Sequence, residues 1–151
     1  MTRLFTALAI VTILLTGCGS KNVYSGYSEI DTHGWSYASP LEYVVTLPDS
    51  TANCCMLVNI THDNNYEYSN LWLEVKYTVH DIEHIDTVNI KMCDPLGNWR
   101  GKGMPGYYQL SDTLSAGPVT LTDSCSIRLR HIMRVDTLHG ISQVGIELAT
   151  R

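Results

Sequence analysis

Apolar and polar residues alternate at every second position along much of this chain, and this feature limits the available folds most. In the clearest run, 71–79, Leu71 and Leu73 alternate with Trp72 and Glu74. Successive side chains of a strand point to opposite faces, so the pattern predicts a strand with one buried face. Similar runs lie at 41–47, 56–60, 88–92, 125–133 and 144–148, with weaker ones at 23–30, 107–110 and 119–121. Helical periodicity is almost absent, and a single helical turn is predicted around 137–140.

Seven to nine short strands separated by turn residues are typical of two packed antiparallel sheets. We therefore expect an all-β chain folded as one antiparallel β-sandwich domain, with a sheet closed on itself as the alternative. The 151 residues fit one domain, and 17% charged residues with 44% hydrophobic ones do not favour disorder. A formal net charge of −5 argues against a nucleic-acid-binding surface, so no nucleic-acid partner is expected.

The N-terminus has the pattern of a bacterial lipoprotein signal. Arg3 precedes an apolar stretch over 4–15, which is shorter than the roughly 20 residues that span a bilayer. The segment Leu15-Thr16-Gly17-Cys18 resembles a lipobox. We expect residues 1–17 to be a signal peptide and Cys18 to be lipidated, with an ordinary secretory signal as the alternative.

Lipidation makes the bilayer the first expected partner, reached through acylated Cys18. Residues 18–22 are then the lipidated cysteine and a short tether, and 23–151 the β-sandwich domain. Gly19 and Ser20 follow the cysteine without an aspartate, which favours the outer membrane. The sequence does not distinguish the periplasmic from the exterior face.

Four cysteines remain after Cys18, and an oxidising compartment allows them to pair. Adjacent cysteines on a strand face opposite sides, so at most one of the first two can share the core with another cysteine. One disulfide and buried free thiols are the two alternatives. The four candidates are Cys54, Cys55, Cys93 and Cys125.

The chain carries none of the short motifs that mark common catalytic, phosphate-binding or calcium sites. His80 and His84 have zinc-ligand spacing only on a helix, and they lie between two strands, where a solvated acidic loop is expected. We expect no enzyme, no cofactor and no metal. The nominal acid candidates for an enzyme are Glu42, Asp63 and Asp94.

Polar aromatic residues form the main candidate for a binding surface. The segment 93–103 has turn chemistry and is expected as a structured loop, although its Trp99 and Arg100 are residues that interfaces favour. Such rings either contact a protein or glycan or cap the ends of the sandwich. The candidate surface residues are Tyr66, Tyr68, Trp72, Trp99 and Arg100.

Several segments together resemble the gliding motility lipoprotein GldH family. They are the lipobox cysteine, Asp63-Asn64-Asn65-Tyr66, Tyr68-Ser69-Asn70-Leu71-Trp72-Leu73, Asp86-Thr87-Val88, the run from Asp94 to Gly103, Met133-Arg134, and the run from Leu138 to Gly145. The resemblance covers nearly all of the mature chain.

The resemblance implies a non-enzymatic accessory lipoprotein of the outer membrane, associated with gliding motility and type IX protein secretion. Cell-envelope proteins of that machinery are then the expected partners, and no catalytic residues are implied. A glycan-binding envelope module is the alternative, since a sandwich with polar aromatic residues suits sugars as well.

Overall fold

The computed structural model describes residues 21–79, 81–114 and 117–150, and these segments contain ten β-strands and no helix. The strands are β1 (Lys21–Glu29), β2 (Trp35–Ser36), β3 (Leu41–His62), β4 (Asn70–Val79), β5 (Ile82–Lys91), β6 (Lys102–Met104), β7 (Tyr107–Thr113), β8 (Val119–His131), β9 (Thr137–Leu138) and β10 (Ile141–Thr150). Within those three segments, no helix with the length and apolarity of a membrane span is found. The signal peptide, Cys18 and His80 lie outside the described residues.

Eight strands form one continuous hydrogen-bonded sheet. Its order is β1-β10-β3-β8-β4-β5, with β7 paired to β3 and β6 paired to β7. The two remaining strands, β2 and β9, pair with each other. All of these pairings are antiparallel, as the sequence predicts.

Strand β3 bends so sharply that its two halves lie in different layers. The hydroxyl of Tyr43, in the first half, donates a 2.9 Å hydrogen bond to the carbonyl oxygen of Val144. Val144 pairs with Ile60, in the second half. Residues 43 and 60 of a straight strand would lie ~56 Å apart at about 3.3 Å per residue. The sheet therefore folds over into a sandwich: the first half of β3 joins β8, β4 and β5, and the second half joins β10, β1, β7 and β6.

The core lies between the two layers and is made of the residues that alternation predicted to face inward. Fully burying one aliphatic side chain of this kind contributes about 1.5–3 kcal/mol to stability. Core residues from the long strands include Val45, Met56, Val58, Ile60, Leu71, Leu73, Val75, Ile127, Leu129, Val144, Ile146 and Leu148. The predicted all-β sandwich is confirmed.

Segments 41–47 and 56–60, predicted as separate strands, are parts of β3. Pro48 does not end the strand because it lies where the pairing of β3 with β8 shifts register, between Thr46 and Thr51. Such an irregularity accommodates a residue that has no backbone N–H to donate.

Two segments expected outside strands are in fact paired. Val79 pairs with Ile82, so the acidic segment after residue 81 belongs to β5 rather than to a loop. Asp81 has a φ of 63°, as a two-residue hairpin turn requires. The helical turn predicted around 137–140 is wrong, because Leu138 pairs with Trp35 and both side chains are buried.

The sandwich has two ends, which we name after Lys21 and His62. At the Lys21 end, β1 begins two residues before the expected boundary, and Lys21 pairs with Thr150. At the His62 end, His62 pairs with Ile141 and with Tyr108. The length of β1 separates the two ends by about 26 Å at roughly 3.3 Å per residue.

Candidate functional site

Most of the predicted aromatic candidates meet at the His62 end, around a histidine. His62 is fully buried at the last position of β3. Its imidazole stacks on Tyr108 at 5.3 Å between ring centroids and meets the edge of Trp99 at 4.8 Å. Tyr66 lies 5.9 Å from His62 and 5.8 Å from Tyr68. We call these five residues the His62 cluster.

A tight turn after β3 brings Tyr66 into the cluster. The Asp63 carboxylate accepts hydrogen bonds from the backbone and side-chain amides of Asn65, at 2.7 and 3.0 Å. Aspartate favours turns because it bonds to the backbone two residues ahead in this way. The Tyr66 hydroxyl then donates to the carbonyl oxygen of Asn70 at 2.8 Å. The ring of Tyr66 is 2% exposed, and its burial raises the pKa of the hydroxyl.

Gly140 lets the turn before β10 pack against the same segment. Its φ is +81°, and a Cβ atom there would lie 2.2 Å from the backbone nitrogen of Tyr66. Its carbonyl oxygen accepts a 2.9 Å hydrogen bond from the Asp63 N–H. Only a residue without a side chain fits both this conformation and this contact.

The loop that carries Trp99 is structured over 93–101, as predicted, whereas Lys102 and Gly103 of the predicted segment 93–103 belong to β6. The Asp94 carboxylate accepts bonds from the backbone N–H groups of Leu96 and Asn98, both at 2.9 Å, and from the Asn98 side chain. These hydrogen bonds lower the pKa of Asp94, and the bond from the Asn98 side chain has the largest effect. The Trp99 indole N–H donates to Asn64 Oδ1 at 3.1 Å, which fixes the ring beside the turn after β3.

The environment of His62 favours a neutral ring. Desolvation by burial lowers its pKa, against a smaller opposing effect from the Asp63 carbonyl, which lies 3.2 Å from Nδ1. Its buried Nε2 atom has no hydrogen-bond partner within the described segments. A neutral, enclosed imidazole among four aromatic rings holds the turn and loop together by packing.

Not all predicted surface residues share this site. Trp72 is 40% exposed on β4, where its backbone N–H lies 3.3 Å from the Met133 sulfur. Arg100 donates to the Lys91 carbonyl oxygen at 3.0 Å and lies 3.7 Å from the Asp112 carboxylate. Because Tyr66 is buried, the structure places it in the core rather than on a contact surface.

His62 and Tyr108 are the members of the cluster that the sequence analysis did not single out as site residues. His62 continues the inward alternation of Met56, Val58 and Ile60, which was the available signal. A second buried histidine, His131, packs with its ring centroid 5.3 Å from that of Trp35. Desolvation lowers its pKa as well.

The four cysteines after Cys18 are free thiols in the structure. Cys54 and Cys125 are buried, and burial raises the pKa of both thiols. Cys55 and Cys93 are partly exposed. A disulfide among them stays a prediction.

Comparison with known proteins gives matches over nearly the whole described domain. The model of a family described as GldH lipoprotein matches residues 22–148. The "Gliding motility lipoprotein GldH" of Flavobacterium johnsoniae is 28% identical over 93% of this chain and 92% of its own length. The "Gliding motility lipoprotein GldH homolog" of Christiangramia forsetii is 36% identical over 90% of this chain and 88% of its own.

Among solved structures, a C-terminal domain of A223, a structural protein of sulfolobus turreted icosahedral virus, matches with a TM-score of 0.34 and 10% identity. The match covers 88% of this chain and 99% of that domain. The fold assignment rests on the strand pairing described above.

Proposed function

The chain belongs to the GldH lipoprotein family, and from this premise we propose that it is an outer-membrane lipoprotein and a non-enzymatic accessory component of gliding motility and type IX protein secretion. The observation that carries the proposal is the family match over residues 22–148, which begins directly behind the lipobox-like Leu15-Thr16-Gly17-Cys18. The two relatives described above are named as a gliding motility lipoprotein and as a homolog of one.

The anchor sets how the domain meets the membrane. With Cys18 acylated, only residues 19 and 20 separate the lipid from the start of β1 at Lys21. The three residue steps from Cys18 to Lys21 reach at most about 11 Å. The Lys21 end therefore lies at the bilayer, and the His62 end points away from it.

The His62 end carries exposed apolar side chains that suit a protein partner. Leu96 is 87% exposed in the Trp99 loop, and Met104 and Tyr107 are 71% and 45% exposed at the β6–β7 turn. Exposed apolar groups on a rigid scaffold are typical of protein contact sites. A cell-envelope protein of the machinery is the partner that we assign to this end.

The nominal acid candidates for an enzyme already have structural roles. Glu42 forms an ion pair with Arg128 on the neighbouring strand. The Asp63 and Asp94 carboxylates hold the two turns that shape the His62 cluster. These roles support an accessory rather than a catalytic function.

Deletion of the gene in the source bacterium, with complementation, tests the proposal. Wild-type protein should restore colony spreading and secretion of type IX substrates, incorporate radiolabelled palmitate and sediment with outer membrane. Cys18→Ala should lose the label and fail to complement. Cys55→Ser, at a partly exposed cysteine within the domain, is the matched control and should behave as wild type.

A deletion strain with normal spreading and normal secretion would contradict the accessory role. Palmitate labelling of Cys18→Ala would contradict the anchor, whatever the deletion phenotype.

A further inference from the structure

The outer face of the layer β1-β10-β3-β7-β6 carries a groove to which all five strands contribute polar side chains. Strand register places side chains of this face in rows, because residues paired across neighbouring strands point the same way. One row is Tyr27, Gly145, Asn59 and Ser111, and the next is Glu29, Gln143, Thr61, Gln109 and Lys102. A groove of about 430 Å³ lies between these rows. We call it the Tyr27 groove.

Tyr27 lies over Gly145, its pairing partner, because Gly145 has no side chain. A Cβ atom on Gly145 would lie 2.3 Å from Cδ1 and 2.4 Å from Cε1 of the Tyr27 ring. The Tyr27 hydroxyl reaches Asn59 on β3, whose amide nitrogen lies 3.4 Å away. The ring therefore spans β10 with its Cδ1–Cε1 side against the backbone of Gly145, while 52% of Tyr27 stays exposed.

The amides beside the ring are fixed in place. Asn59 donates from Nδ2 to Glu147 at 3.2 Å, and Gln143 donates from Nε2 to Glu29 at 2.6 Å. Both bonds restrict the side-chain rotamers before any ligand arrives, which lowers the entropy lost on binding. Across the groove, Gln109 and Ser111 on β7 add further groups that both donate and accept.

The chemistry of the groove matches a carbohydrate. A half-exposed aromatic ring offers a surface to the C–H face of a pyranose, and amides with hydroxyls match its alternating donors and acceptors. Lys102 is the charged side chain of the lining, and the carboxylates of Glu29 and Glu147 bond its amides Gln143 and Asn59. The site therefore lacks the excess positive charge that phosphate groups favour.

We propose that the Tyr27 groove binds a pyranose unit of a polysaccharide chain. Tyr27 is the stacking platform, and Asn59, Gln109 and Gln143 are the hydroxyl partners. The groove lies on the side of the domain, so it remains open while the Lys21 end faces the bilayer and the His62 end meets a protein. This binding activity goes beyond the accessory role and uses none of the surface residues that the sequence analysis singled out.

Full-length acylated protein in lipid nanodiscs provides the test. It is titrated with defined oligosaccharides of glucose, mannose, galactose, xylose and N-acetylglucosamine. At least one series should bind saturably. Tyr27→Ala should weaken that binding tenfold or more, while Tyr27→Phe, which keeps the ring, should stay within about threefold. Tyr37→Ala removes a comparably exposed tyrosine, 42% exposed beside Arg130 of β8 in the other layer, and should leave binding unchanged.

Gly145→Ala keeps every hydrogen-bonding group but displaces the ring, so it should weaken binding as Tyr27→Ala does. Gln109→Ala changes the opposite wall of the groove and leaves the Tyr27 ring in place. It should weaken binding threefold or more. Failure of all five series to bind overturns the proposal. So does binding that Tyr27→Ala and Gln109→Ala leave intact, or that Tyr37→Ala reduces equally.

Discussion

The His62 cluster and the Tyr27 groove both place tyrosine rings against β3, yet they use these rings in opposite ways. In the cluster, Tyr66 and Tyr108 face other rings and enclose a histidine. In the groove, Tyr27 rests on the backbone of Gly145 and keeps its outer face open. The rings compared in the two sites are all tyrosine rings. What a ring does depends on whether its neighbours are other rings or a bare stretch of backbone.

The largest difference should appear when each ring is removed. Tyr66→Ala should lower the free energy of unfolding by about 4 kcal/mol, because it leaves a large cavity in the core. Tyr27→Ala should lower it by about 0.5 kcal/mol, because the ring is half exposed. Urea denaturation of both variants measures the two costs. Similar values would mean that Tyr27 is also a structural residue.

Two glycines give the next comparison. Gly140→Ala should cost about 3 kcal/mol, because the new methyl group meets backbone atoms of Tyr66 at a left-handed φ. Gly145→Ala meets the movable ring of Tyr27 and should cost about 1 kcal/mol or less. Thermal melting of both variants provides the measurement. A larger cost at Gly145 would show that Tyr27 cannot move aside.

Acid should destabilise the cluster rather than the groove. Burial lowers the folded-state pKa of His62 and His131, so the unfolded chain binds these protons more readily. The stability that the two neutral histidines contribute is fully present above the unfolded-state pKa of about 6.5. It is lost as the pH falls toward their lower folded-state pKa values.

The urea concentration at the midpoint of unfolding should therefore decrease as the pH is lowered from about 7.5 to about 5. His62→Phe should make that decrease smaller, since it removes one of the two buried histidines. An unchanged pH profile in His62→Phe would assign the decrease to other groups.

The smallest effect concerns the bond that orients Trp99. Asn64→Ala removes the acceptor of the indole N–H and should cost about 1 kcal/mol. Trp99→Phe should lose the same bond, so the double variant should be less destabilised than the sum of the two single changes. Strict additivity in urea denaturation would show that the bond contributes nothing.

The strands were predictable because alternation is local. The period of two over 71–79 gives β4 almost to the residue, since one face of that strand is buried against the core. The continuity of β3 through Pro48 was not predictable, because it depends on β8 holding the strand across a register shift. The extension of β5 to Ile82 likewise depends on a two-residue turn.

The sites were harder to predict because their members lie far apart in sequence. Turn chemistry around Asp63 and Asp94 predicts two loops, but the stacking of His62 on Tyr108 follows from the pairing of β3 with β7. The Tyr27 groove draws on five strands. Its one local signal was Gly145 within a regular alternation, a position that often marks close approach of another group.

The position of β1 has a mechanical consequence. Among the strands that the structure describes, this edge strand pairs with β10 alone, in antiparallel register from Lys21–Thr150 to Glu29–Gln143. It follows directly on the segment that we propose to carry the lipid. A partner that pulls on the His62 end while the lipid holds Lys21 would slide β1 along β10. All of their hydrogen bonds would then share the load in shear, instead of opening one after another from one end.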